Sequence, residues 1–98
     1  MKYNRTMIIS EIRSLKREIS HRFHGDVIGI FGSYARNEED ESSDLDILVK
    51  FDENATLLDL IGMGQYLESK LSCKVDVLSQ NAMKKEIEPY ILEDLIAV

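Results

Sequence analysis

Two aspartates at alternate positions, Asp44 and Asp46, head a run of apolar residues, and a Gly32-Ser33 pair precedes the first of them with ten residues between. On a strand, residues i and i+2 leave the same face, about 6.5–7 Å apart along the chain. Two ionised carboxylates so placed repel, and the start of a buried strand tolerates them only when something cationic shares the site. Hard divalent cations with oxygen ligands are the natural counter-charge. Mg²⁺ in particular takes a few carboxylates plus substrate phosphates rather than a closed protein cage. Asp76 lies between Val75 and Val77 in a later apolar run and so points away from both. If the strands of Asp46 and Asp76 are near neighbours, three carboxylates could hold two ions about 3.5–4 Å apart, which stabilises the attacking and leaving oxygens of phosphoryl-type transfer. Gly32-Ser33 supplies the other half. A strand that ends in Gly-Ser and turns into a helix offers backbone N–H groups and a hydroxyl to a phosphate, and Gly lets the backbone come close.

The elements that must position these residues are legible in the spacing. Ile8, Ile12, Leu15, Ile19 and Phe23 recur every three or four residues, which predicts an amphipathic helix over 5–23 ended by His24-Gly25, with Gly25 in the left-handed position. Val27–Phe31 reads as a short buried strand, and Tyr34-Ala35-Arg36 as the start of a short helix. Asn37–Ser43 is a polar loop before a second strand, Asp44–Phe51, whose Leu45, Ile47, Val49 and Phe51 share a face. Thr56 is a plausible N-cap for a helix over about 57–71, and Lys74–Leu78 is a third strand. Asn81 is placed to cap a last helix that Pro89 interrupts or restarts and that runs on to Ile96. The predicted order is αβαβαβα, an α/β (α+β) fold with helices packed on a small mixed sheet.

The 98 residues allow one domain, 1–98, with one compact core, and leave no room for a separate substrate-binding domain. No run is long and apolar enough to span a membrane, and the opening MKYNRTMIISEIRS interrupts every apolar run with charge, unlike a leader. With a single cysteine, Cys73, the expected setting is the cytoplasm. Charge is uneven. Residues 1–24 hold six Lys/Arg against two acids, residues 26–59 two against ten, and residues 60–98 four against six, for a net of −6. A chain this acidic is a poor non-specific ligand for nucleic acid, and its carboxylates suit metal ions or a basic protein partner.

Other motifs are weaker. An EF-hand loop starting at Asp40 fails because its sixth position is Leu45 and its twelfth is Phe51. Gly62-Met63-Gly64 lies inside a helical pattern, where close helix packing is the expected use. His21 and His24 fit a helix C-terminus better than a metal site, and Cys73 reads as a packing residue. The basic face of the first helix (Arg13, Lys16, Arg17) is expected to face solvent. Arg36 suits either a triphosphate or the Glu38–Glu41 run.

The combination Gly32, Ser33, Asp44, Asp46 and Asp76 resembles the minimal nucleotidyltransferases, small members of the polymerase-β-like superfamily marked by G-S-x10-D-x-D and a third Asp on a later strand. The flanking Phe31–Arg36 and Ser43–Val49 are similar too, and the likeness runs over roughly residues 10–96. It implies that fold and a transfer of AMP from ATP, with Mg²⁺ or Mn²⁺, to a tyrosine of a HEPN-domain RNase toxin for which the chain is the antitoxin. Asp44, Asp46 and Asp76 would be the metal and catalytic residues, and Gly32, Ser33 and Arg36 the nucleotide-binding ones. Two other readings are a non-catalytic antitoxin acting by complex formation and the catalytic subunit of a small-molecule nucleotidyltransferase. An assembly of like or unlike chains is compatible with each. Asn37 stands where the family often has Gly, and Asn tolerates a left-handed turn better than most residues.

Overall fold

The computed structural model describes residues 4–98, so residues 1–3 of the opening stretch lie outside the described residues. Helix α1 (Arg5–Phe23) starts at Asn4, whose side chain accepts from Met7 N, and buries Ile8, Ile12 and Ile19. Strand β1 (Gly25–Phe31) leads straight into the four-residue α2 (Gly32–Ala35), and β2 spans Leu45–Phe51. Helix α3 (Leu57–Leu71) opens with a reciprocal capping box between Thr56 and Asp59 and buries Met63, Leu67 and Leu71, a device typically contributing about 1 kcal/mol. Strand β3 (Val75–Ser79) precedes a single 3-10 turn, Gln80–Ala82. Helix α4 (Glu88–Asp94) has Pro89 in its first turn, where the missing N–H is harmless. Strand β4 (Ile96–Ala97) follows it.

The sheet order is β3-β2-β1-β4, with β2–β3 parallel and the other pairs antiparallel. Leu45, Ile47 and Val49 of β2 join the buried side chains of α1 and α3 in one core. By the period of two, Asp44, Asp46 and Leu48 belong to the opposite face. At Gly62 α3 packs tightly on the end of α1, since a Cβ there would sit 3.0 Å from Phe23 Cε1.

Two expectations need correction. The left-handed residue ending α1 is His24 (φ 56°), not Gly25. Gly25 already pairs with Phe51 in the sheet, and a Cβ on it would press on the Phe51 and Met63 side chains. The last helix does not run from Asn81 to Ile96. It starts only at Glu88 and stops at Leu95, whose extended backbone feeds Ile96 and Ala97 into pairing with Ile30 and Gly29. The free edge of β1 takes that segment as a fourth strand, held further by Val98 N donating to Ile28 O at 3.1 Å. The order is therefore αβαβαβαβ.

Candidate active site

Parallel pairing of β2 with β3 sets Leu45 beside Val75 and Asp46 beside Asp76. Register partners on neighbouring parallel strands present their side chains on the same face, so the two carboxylates share the face turned away from the core. Asp44 precedes β2 by one residue and is exposed, whereas Asp46 is half-buried. Burial, then the Asp76 and Asp44 charges, push the Asp46 carboxyl up to about 6, against a smaller opposing effect of the Arg36 guanidinium. Carboxylates that disfavour one another's ionisation are poised to gain from a cation.

The Gly32 turn closes over the same carboxylate. Phe31, the last residue of β1, is the Cα partner of Asp46. Gly32 then takes φ +74°, and a Cβ on it would fall onto Asp46 Oδ2. Only glycine permits both the left-handed backbone and that approach. The turn is finished by Asn37, itself left-handed at φ 61°, as expected for Asn in the place of Gly. Backbone bonds from Arg36 N to Gly32 O (3.1 Å) and from Glu38 N to Ser33 O (2.8 Å) hold the piece together.

A cleft of about 460 Å³ brings Gly32, Arg36, Asp46 and Asp76 onto one wall. Asp44 and Ser33 do not line it. Arg36 does both more and less than expected. Its Nε donates to Glu38 (3.2 Å), as the charge run suggested, and its Nη1 donates to Asp94 of α4 at 2.5 Å. These hydrogen bonds to Asp94 and Glu38 hold the guanidinium charged. Ile87, Tyr90 and Ile91 of α4 line the same cleft. Sequence reasoning missed them. Their signal was the spacing Ile87, Tyr90, Ile91, Asp94, one face of a helix beginning at Glu88.

Among the described residues no three His, Cys, Asp or Glu side chains converge as a protein-only metal cage. The donor set nevertheless fits a hard divalent cation, because Asp46 and Asp76 are oxygen donors on one face and Mg²⁺ usually fills its remaining positions with water and phosphate. His24 instead lies 3.9 Å from Asp52, and Asp40 accepts from Ser42 within its own loop. A larger cavity, about 570 Å³, is bordered by Tyr34, Cys73, Lys74 and the Asp40–Ser43 loop and includes none of the six candidate residues. Burial pushes the Cys73 thiol up, consistent with a packing role. Of the basic face of α1, Lys16 is partly engaged, donating to Val98 O at 3.0 Å, while Arg13 and Arg17 are exposed.

A small mixed sheet carrying paired aspartates on adjacent strands, faced by a strand–Gly–Ser–helix turn, has the make-up of a phosphate-handling transferase domain. Residues 12–98 match the family described as nucleotidyltransferase domain, and the chain belongs to that family. It is 38% identical over 96 residues to protein adenylyltransferase MntA of Thermococcus cleftensis, covering 94% of this chain and 97% of that one. A solved minimal nucleotidyltransferase superposes with a TM-score of 0.82 at 28% identity, covering 98% of this chain and 97% of that one. One chain in the structure of a tri-AMPylated Shewanella oneidensis HEPN toxin in complex with MNT antitoxin shares the fold, at a TM-score of 0.69 and 19% identity, covering 95% of this chain and 70% of the matched one. Among the described residues no helix is long and apolar enough to cross a membrane.

Proposed function

We propose that this nucleotidyltransferase moves AMP from ATP to a hydroxyl, a tyrosine's by preference, on a HEPN-type partner protein and thereby acts as its antitoxin. The observation that carries the reading is the pairing of Asp46 with Asp76 beneath the Gly32 turn. Asp44 and Asp46 would hold Mg²⁺, with Asp76 completing the set on the acceptor side. When bound, the cation supplies charge neutralisation at the α-phosphate and at the leaving pyrophosphate. Gly32 and Ser33 bind the β- and γ-phosphates through backbone N–H groups and the hydroxyl, and Arg36 steadies the triphosphate from the side. Asp76 accepts the proton of the acceptor hydroxyl as its oxygen attacks the α-phosphorus. The names of the MntA relative and of the HEPN–MNT complex support this acceptor class.

The test is to incubate the chain with the protein encoded beside it, ATP and Mg²⁺, and to take intact masses of both. A gain of AMP units on the neighbour that Asp44→Asn removes is the expected result. A stable complex with no gain in mass would replace this reading with a binding-only antitoxin.

A further inference from the structure

Large apolar side chains are exposed at two places among the described residues. One is the start of α3, at Leu57, Leu58 and Ile61; the other is on α4, with Ile87 42% and Tyr90 72% exposed. Of these, Ile87 and Tyr90 border the cleft that holds both Asp46 and Asp76; Ile61 lines a smaller hollow beside Asp76, and exposed Leu92 of α4 does not line the cleft. That cleft has two chemically distinct parts. Gly32, Arg36, Asp46, Asp76 and Asp94 make its polar lining, while Phe31, Leu78, Ile87, Tyr90 and Ile91 make its apolar lining. Phosphates gain nothing from an apolar wall. A nucleobase does, because it has a flat π-face that aromatic and aliphatic side chains can cover.

We propose that Tyr90, backed by Ile87, is the stacking platform for the nucleobase of the nucleotide whose phosphates lie at Gly32 and the aspartates; this rests on the nucleotidyl-transfer reading above. Positions 87, 90, 91 and 94 recur on one face of α4, so the helix that offers the ring also carries Asp94 toward Arg36. The Arg36–Asp94 ion pair at 2.5 Å ties the last turn of α4 to the residue capping α2, which fixes the apolar wall relative to the Gly32 turn. A cleft of about 460 Å³ is within the range of small-molecule sites and leaves space for a base beside a triphosphate. Besides the Tyr90 hydroxyl, the polar side chain that α4 brings to the cleft is Asp94, whose carboxylate is already held by Arg36, so the platform accepts any purine with little discrimination. This sets Tyr90 as a determinant of nucleoside triphosphate over bare polyphosphate.

The experiment is calorimetric titration of ATP, GTP and inorganic tripolyphosphate, each with Mg²⁺, into the full chain and its Tyr90→Ala and Tyr90→Phe variants. Tyr90 is exposed, so both variants are expected to fold, and circular dichroism checks that they do. The expected result is about tenfold weaker ATP and GTP binding in Tyr90→Ala, the scale of one lost base–aromatic stack. Tripolyphosphate binding should be unchanged, and Tyr90→Phe should match the native chain. Unchanged ATP binding in Tyr90→Ala overturns the platform, and so does an equal loss for ATP and tripolyphosphate. Equal losses in both variants would assign the contact to the Tyr90 hydroxyl rather than to the ring face and overturn it too. A native chain that binds neither ATP nor tripolyphosphate would sink the nucleotidyl-transfer reading itself, and the platform with it.

Discussion

Gly32 and Asp46 are locked together: glycine's left-handed backbone puts its α-carbon where any Cβ would fall onto the Asp46 carboxylate. The turn and the carboxylate are therefore one unit, built by the pairing of Phe31 with Asp46 across β1 and β2. The Gly-Ser pair and the aspartates, ten residues apart in the chain, make sense only together.

Gly32→Ala tests that unit. An alanine at φ +74° carries a left-handed backbone penalty of about 1–2 kcal/mol and must also displace Asp46. The expected outcome is a fall in urea-unfolding stability of at least that size, together with loss of AMP transfer.

Asp46→Asn separates stability from chemistry. In the folded chain the carboxyl titrates near 6, whereas an unfolded aspartate titrates near 3.9. Folding therefore favours the protonated form. The penalty is absent below about pH 4, grows as pH rises through the interval between those values, and is complete above about pH 6. After discounting for partial exposure it is about 1–2 kcal/mol. The Asn variant should melt higher than the native chain at pH 7.5 without metal, match it near pH 4, and transfer no AMP. Mg²⁺ should raise the melting temperature of the native chain at pH 7.5 but not that of the variant.

Asn37 has the opposite character. Its φ of 61° is a conformation Asn and Gly both tolerate, so Asn37→Gly should leave stability within about 0.5 kcal/mol and transfer unaltered. Asn37→Val should cost about 1–2 kcal/mol, because a β-branched side chain resists the left-handed region. Thermal melts of the two variants decide the point.

Arg36 and Asp94 can be told apart by kinetics. The pair is partly exposed, so Asp94→Asn should cost less than about 1 kcal/mol of stability. If Arg36 steadies the triphosphate as proposed, Arg36→Ala should raise KM for ATP by about tenfold. Equal KM values in the two variants would assign Arg36 to holding α4 alone.

How much of this was legible in the sequence varied with the range of the forces involved. Helix α1 was plain because Ile8, Ile12 and Ile19 repeat at helical spacing within one segment, and the start of α3 because Thr56 marks it. Of the expected set Gly32, Ser33, Asp44, Asp46 and Asp76, the cleft brings together Gly32, Asp46 and Asp76, whose signal was charge at the head of an apolar strand, whereas Ser33 and Asp44 stand outside its lining. The adjacency of Asp46 and Asp76 remained conditional, since strand order is a long-range property. Strand β4 was hidden for the same reason: two residues, Ile96 and Ala97, are extended only because β1 offers an edge. Tyr90 and Asp94 were hidden because their role depends on where α4 lands, which Pro89 and the turn before it leave open.

The most direct test of the central claim compares two labels. The chain, its neighbour-encoded partner and Mg²⁺ are incubated with ATP carrying ³²P at either the α- or the γ-position, for the native chain and for Asp76→Asn. Transfer of AMP predicts that the α-label stays on the partner, that the γ-label leaves as pyrophosphate, and that Asp76→Asn retains neither on protein. Retention of the γ-label on the partner, or an Asp76→Asn variant as active as the native chain, would contradict it.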